Sequence, residues 1–560
     1  MIKRCFSVLT VMGALSLPAA AQSLAPGNET ILEQELRADL FFLASDELQG
    51  RLSETPENRI AAAFIRSRFE RLGLEPMGPD GSYYQPYRLM RARLGSANEL
   101  ELIREDKTTL SGQLGESFFP HTFSASGSVE AGLVFAGYGI SAPKLSHDDF
   151  GSRALRGQIV LVLDHEPGEK DPESIFDGVV TSEYSRNLRK ALYAQRAGAT
   201  GILFVTDIHN HPGPSNFSRL ASRSWPDPPR RIPRYTLASW AEAVRIPAIQ
   251  ISTALAETLV SSTGRTLEEL AHDAETVGGI EPVLVPSLLI RLTTSVERQS
   301  VDDRNVVAGI IGSDPQLKNE WVIVCAHYDH DGADGARVFN GADDDGSGTV
   351  ALLQIAEAYA LAARNGERPK RSVLFAAWNS EERGLLGAWA YAENPLVPLE
   401  QTVATLNMDM IGRNEEVRLG GGRRFRGLEL QTAESNKNAV NIMGYSYSAD
   451  LKRAVEEANR SSELELKMRY DNNPSNLLRR SDQWPFLQKA VPSLFFHTGL
   501  HPDYHTEFDV PERIEYAKLE RIARLVHQMS WDLANNESRP GFDKPNQAAA
   551  TAPQINPDQN

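Results

Sequence analysis

Histidine and carboxylate residues recur after short apolar runs in the second half of this chain. His327 and Asp329 follow Trp321-Val322-Ile323-Val324-Cys325, and Asp343, Asp344 and Asp345 stand inside Asn340-Gly341-Ala342-Asp343-Asp344-Asp345-Gly346-Ser347-Gly348. Glu381 and Glu382 follow Val373-Leu374-Phe375-Ala376-Ala377-Trp378, Asp409 follows Val403-Ala404-Thr405-Leu406, and Tyr504-His505 lies near the end. Imidazole nitrogens and carboxylate oxygens are the ligands of borderline and hard divalent cations. At the ends of neighbouring strands these residues would collect along one sheet edge, as a metal-dependent hydrolytic site requires.

Each motif also has a plainer reading. His327 and Asp329 are two apart and share a face on a strand, so the acid can orient the imidazole of a metal ligand; alone, such a pair is more often a loop hydrogen bond. The three aspartates alone would be a solvated helix N-terminus, favoured by the helix dipole. Beside His327, one of them can use its two oxygens to bridge two cations. Glu381 and Glu382 repel each other unless something positive neutralises one and leaves the other as a base. An unpaired Asp409 between apolar residues would be costly to bury. His505 supplies the second imidazole that such a set needs.

The elements that would hold these groups alternate. The pattern predicts strands at 321–325, 372–378 and 403–409, with helices at 349–364 and 384–394 between them. This is an α/β fold: a mixed, largely parallel sheet flanked by helices, with ligand sites beyond the carboxyl ends of its strands. Upstream, a helix is expected from Thr30 to Glu47, with Thr30 and Glu33 spaced as a capping box. A second is expected from Pro56 to Leu72, with Ile60, Phe64, Ile65, Phe69 and Leu72 on one face and Gly73 as its stop. Short buried strands are expected at 132–140, 157–163, 201–205 and 246–251, a helix at 187–197, and an exposed loop at 212–234. Residues 537–560 read as a disordered tail.

Lys3 and Arg4 precede an apolar stretch from Cys5 to Leu17 and the small residues Ala19, Ala20 and Ala21, the pattern of a signal peptide cleaved after residue 21. No later run reaches the ~20 apolar residues of a bilayer span. Export to the periplasm or medium without a membrane anchor is the expectation, and removal of Cys5 would leave Cys325 as a lone, buried thiol. The formal charge of −16, from 58 basic and 74 acidic residues among 560, disfavours nucleic-acid binding.

The motif set resembles the co-catalytic zinc aminopeptidase family, which includes secreted bacterial leucyl aminopeptidases, aminopeptidase Y and the more distant glutamate carboxypeptidase II. The resemblance implies two zinc ions, one held by His327 and Asp409, the other by Glu382 and His505, with Asp344 shared. It implies Glu381 as general base, Asp329 as the acid orienting His327, and peptides as substrates. Tyr504 is a candidate donor to the oxyanion. It also implies a divided chain: an N-terminal peptidase segment at 22–125, an inserted β-rich protease-associated domain at 126–290 without a charged constellation of its own, and the zinc peptidase core at 291–536. With no ligand position missing, it argues against a degenerate relative such as the transferrin receptor ectodomain, and against the one-zinc glutaminyl cyclases. An aminopeptidase is the first expectation. A carboxypeptidase or dipeptidase anchored by Arg413, Arg423, Arg424, Arg479 or Arg480 is the second, and a peptide-binding receptor-like ectodomain is the non-enzymatic alternative. The segment 412–476 is expected to shape the substrate end of the cleft.

Overall fold

The computed structural model describes residues 24–151, 155–213 and 216–543; the expected signal peptide at 1–21 lies outside them. Among the described residues the larger sheet has ten strands. Its centre is parallel, in the order Ser372–Trp378, Trp321–His327, Thr402–Met408, Ser493–His497. These strands are buried along their length, as parallel strands covered on both faces must be. Alternation then divides their side chains. Val322, Val324 and Ala326 face a core built with helices Glu33–Leu43, Pro56–Leu72, Gly348–Arg364 and Tyr516–Asn535. Trp321, Ile323 and Cys325 face the opposite layer with Ala388, Tyr391 and Phe486. The flanks are antiparallel: Val296–Ile310 and Tyr84–Leu94 on one side, Ala439–Met443 on the other. The sheet is therefore mixed: four central strands are parallel, and Glu465–Lys467 adds one more parallel pairing, with Ala439–Met443, at the far edge.

A second, eight-stranded sheet has its own apolar core and runs in the order Thr109–Ser111, Glu99–Arg104, Val283–Thr294, Gly127–Phe135, Ile159–Leu163, Gly201–Val205, Ala248–Ile251, Phe118–Pro120. It begins at Glu99 rather than at the expected 126 and ends at Thr294 rather than 290. Three short strands before residue 126 belong to it: Glu99–Arg104 and Phe118–Pro120 pair with Val283–Thr294 and Ala248–Ile251 far along the chain, and Thr109–Ser111 folds back onto Glu99–Arg104. Tyr235–Leu237, between two of its strands in sequence, returns to pair with Tyr84–Leu94 of the larger sheet.

Other local expectations need correction. Helix Pro56–Leu72 is capped by Thr55, whose side chain accepts from Asn58 N, and stops at Gly73 with φ 73°, but Ile60 is exposed on it. The capping box at Thr30 does not form. The Thr30 hydroxyl donates to Gly27 O and the Glu33 amide is taken by Glu520, so the helix starts at Glu33 without a side-chain cap. The expected loop 212–234 contains helix Phe217–Ser224, which buries Phe217 and Ala221. Of the expected tail, 537–543 lies against the fold: Arg539 donates to Glu400 O at 2.7 Å and Asp543 N to Tyr447 O at 2.8 Å. Among the described residues no helix is long and apolar enough to cross a membrane.

Candidate metal centre

His327 ends its strand, while Glu381, Asp409 and the 342–347 turn follow the carboxyl ends of their strands or lead into helix Gly348–Arg364. The parallel register therefore brings them to one place. His327 Nε2 lies 3.3 Å from Asp344 Oδ1, 3.7 Å from Asp409 Oδ1 and 3.8 Å from Glu381 Oε2. On the other side of the same carboxylate, His505 Nε2 lies 3.0 Å from Asp344 Oδ2 and 3.4 Å from Glu382 Oε2. Asp344 thus presents one oxygen to each of two imidazole-carboxylate groups. His330, outside the expected ligand set, is fully buried with Nδ1 2.7 Å from Glu382 Oε1. Only its place one residue beyond Asp329 could have signalled it.

The neighbours of Asp344 hold its turn in shape. Asp345 accepts from the amides of His327 at 3.0 Å and Gly348 at 2.9 Å. Asp343 accepts from Gly412 N at 2.7 Å, and Asp509 accepts from the amides of both Asp343 and Asp344. Gly341 is required there: its φ is 57°, and a Cβ would sit 2.2 Å from the carbonyl of Asp344. Arg51, just before helix Pro56–Leu72, is buried and donates to the carbonyls of Tyr328, Leu43, Asn340 and Gly341 at 2.6–2.9 Å. It ties the His327 loop to the aspartate turn. Asp329 accepts from Glu381 N at 3.0 Å and lies 3.7 Å from His327 Nδ1, while Asp331, likewise outside the expected set, lies 2.9 Å from His505 Nδ1.

The electrostatics call for positive charge. Burial raises the carboxyls of Glu381 and Glu382 above the ordinary range. Burial would raise Asp344 too, but the imidazoles of His327 and His505 facing it hold it well below. Burial opposes charge on His327 and His505, yet the surrounding carboxylates outweigh it and raise both well above the usual imidazole value. Meanwhile His327 Nε2, Asp409 Oδ1, Glu382 Oε1 and His505 Nε2 are buried without a hydrogen bond, an expensive condition for polar atoms. Two donors bound to one zinc lie about 3.3 Å apart, close to the spacings found here. The residues therefore fit divalent cations on both sides of Asp344, and such ions would relieve both the unpaired atoms and the crowded acids.

A cavity of about 280 Å³ opens beside Asp344, Glu381, Glu382, Asp409 and His505. Tyr504 lines it, its ring 4.0 Å from that of His505 between centroids. Trp389, Trp484, Phe495 and Leu500 supply apolar wall. Glu183 and Arg186, which belong to the part of the chain carrying the second sheet, also reach it. Glu183 is fully engaged there by Arg186, Arg189, Arg479 and Trp484, and although burial opposes its charge these arginines lower its pKa to about 2. Of the arginines named as anchors, Arg413 pairs with Asp503 at 2.9 Å and Arg424 donates to the Tyr504 carbonyl. Arg423 does not line the cavity; Arg479 and Arg480 do. Arg480 is held by the carbonyls of Arg424 and Ser475 and, among the described residues, by no carboxylate. The segment 412–476 acts from behind: its strands extend the sheet, and it is Leu477, Arg479, Arg480 and Trp484, just after it, that line the cavity.

Residues 305–530, which hold every one of these ligand candidates, match Peptidase family M28. This stretch is a peptidase family M28 domain. The chain is 27% identical over 408 residues to a probable glutamate carboxypeptidase of Arabidopsis thaliana, covering 70% of this chain and 51% of that protein. It is 25% identical over 510 residues to a probable glutamate carboxypeptidase of Zea mays, covering 87% and 63%. The chain thus spans half to under two thirds of these relatives. An aminopeptidase of Pseudomonas aeruginosa is 38% identical over 131 residues, 23% of this chain and 22% of that one. Among solved structures, the aminopeptidase from Aneurinibacillus sp. strain AM-1 is 18% identical with a TM-score of 0.47, over 92% of this chain and 96% of that one. The M28 domain begins within strand Val296–Ile310 and ends within helix Tyr516–Asn535, so the second sheet lies outside it.

Proposed function

We propose that the chain is an exported two-zinc exopeptidase of aminopeptidase type. The observation that carries this reading is Asp344, whose two oxygens face His327 at 3.3 Å and His505 at 3.0 Å. His327 and Asp409 would hold one ion, Glu382 and His505 the other, and Asp344 both, with His330 beside the second group. Zinc ions held there supply Lewis acidity toward the scissile carbonyl and lower the pKa of water. Glu381, fixed through its amide by Asp329, takes the proton of the attacking water and returns it to the leaving amine. Tyr504 donates to the developing oxyanion. Asp331 and Asp329 keep the two imidazoles oriented. The aromatic wall and the Glu183–Arg186 edge of the second unit line the cavity and would limit the length of chain that enters it. This supports removal of terminal residues and a covering role, of protease-associated type, for that unit.

One observation favours a second reading. Arg480 brings a guanidinium to the cavity without a carboxylate partner among the described residues, as a site for a substrate carboxylate would. That would make the enzyme a carboxypeptidase or dipeptidase with the same metal chemistry. Comparing an aminoacyl anilide with its N-acetylated form, and a dipeptide with its C-terminal amide, decides between them. Cleavage that needs the free amine supports the aminopeptidase reading. Cleavage that needs the free carboxylate, with KM raised by Arg480→Gln, supports the alternative. Absence of hydrolysis of all four by zinc-loaded protein contradicts both and leaves the receptor-like reading.

A further inference from the structure

The second sheet was expected to carry no charged constellation. The structure places one at the carboxyl ends of two adjacent parallel strands, Ile159–Leu163 and Gly201–Val205. His165, two residues beyond the first strand, and His211, six beyond the second, converge on one carboxylate. Glu169 Oε2 lies 3.0 Å from His165 Nδ1 and Glu169 Oε1 lies 2.5 Å from His211 Nε2. The two rings lie tilted against each other, 4.1 Å between centroids and 35° apart, and the three donor atoms fall within 4.8 Å of one another. Glu169 is largely buried, whereas His165 and His211 side chains are 39% and 42% exposed. An ion therefore has both a protein face and an open side for water. The backbone around it is fixed: Lys190 donates to His165 O, Lys170 to Asn210 O, and His211 N to Asp207 O at 3.2 Å.

We infer that His165, Glu169 and His211 form a separate binding site for a divalent transition-metal ion, with zinc as its simplest occupant. Two imidazoles and one carboxylate suit zinc, copper or nickel, whereas magnesium and calcium prefer sites built of oxygen alone. Three protein ligands leave a position for water. The donor atoms stand nearer together than around a bound ion, so binding requires the three side chains to spread by a fraction of an ångström, which the exposed histidine rings allow. The position beyond the ends of parallel strands is where open α/β sheets place their ligands. The loop that carries His165 and Glu169 also carries Glu166, which accepts the Ser182 amide at 2.8 Å beside the cavity residue Glu183.

The test compares the full chain with His211→Ala, Glu169→Gln and His165→Ala/His211→Ala, each equilibrated with micromolar zinc and analysed for metal. The site predicts one zinc per chain fewer in every variant, with unchanged circular dichroism and unchanged turnover by the M28 domain. Equal zinc content in all four proteins would overturn it. Peptide mapping after carbethoxylation of the unaltered chain gives an answer that does not depend on how a variant folds. Zinc should protect His165 and His211 together, and equal modification of both with and without zinc would also overturn the site. Because the count is a difference between proteins that share the Asp344 centre, it stands apart from whether that centre holds two ions.

Discussion

The carboxylate of Asp331 lies 2.9 Å from Nδ1 of His505 and leaves Nε2 of the same ring facing Asp344 and Glu382. Although burial would raise Asp331, His505, His330 and Arg383 hold it well below the usual carboxylate range. It remains charged and keeps the ring in the orientation and tautomer that a metal ligand needs. Asp331→Asn should weaken zinc binding at that half of the centre by about 10- to 100-fold, measured by competition with a chromophoric chelator. An unchanged affinity would reduce Asp331 to a partner of Arg383 alone.

Glu381 and Glu382 are adjacent but face different groups, Glu381 toward His327 and Glu382 toward His330 and His505. Glu381→Gln should lower turnover by roughly 10²- to 10⁴-fold while metal content stays near normal. Glu382→Gln should lose metal. The opposite pattern of zinc loss would reverse the two roles.

Arg51 is a stability determinant of the site. Its guanidinium satisfies four buried carbonyls on three segments of chain. Arg51→Met should destabilise the protein by about 3 kcal/mol or more, since it leaves those acceptors without donors. Urea unfolding of metal-free protein measures this directly. A change within about 0.5 kcal/mol, the range of an ordinary surface substitution, would show that water replaces the clamp.

The motif acids were legible in the sequence because each follows an apolar strand, and parallel register alone carries strand ends to a common edge. Asp343, Asp344 and Asp345 look equivalent as letters. The fold separates them by backbone geometry, turning two toward amides and one toward the imidazoles. His330 and Asp331 were not legible because neither sits on a strand with a fixed period. Arg51 was hidden because its partners are carbonyls, which every residue has. The places of Glu99–Arg104 and Phe118–Pro120 in the second sheet, and the His165–Glu169–His211 cluster, depend on contacts between distant segments, which no local pattern records. The capping box at Thr30 failed for a related reason: a tertiary contact, Glu520 with the Glu33 amide, took the donor.

Away from the metal centre, His527 is buried against Tyr359 and Trp531, and burial lowers its pKa to about 3. Below about pH 6.5 the unfolded chain binds a proton that the folded chain refuses. The stability associated with neutral His527 is therefore complete above pH 6.5 and is lost as pH falls toward 3, by about 1.4 kcal/mol per pH unit. His527→Gln should flatten the pH dependence of unfolding free energy over that window by close to one proton. Parallel curves for the two proteins would mean that the ring is protonated in the fold.

Peptide hydrolysis here should depend on ions shared across Asp344. This dependence is tested most directly by metal analysis of the purified His165→Ala/His211→Ala chain, paired with its hydrolysis of an unblocked peptide substrate before and after chelation. The expected result is two zinc ions per chain, loss of hydrolysis on their removal, and recovery on addition of zinc. Full hydrolysis by the metal-free protein would contradict it.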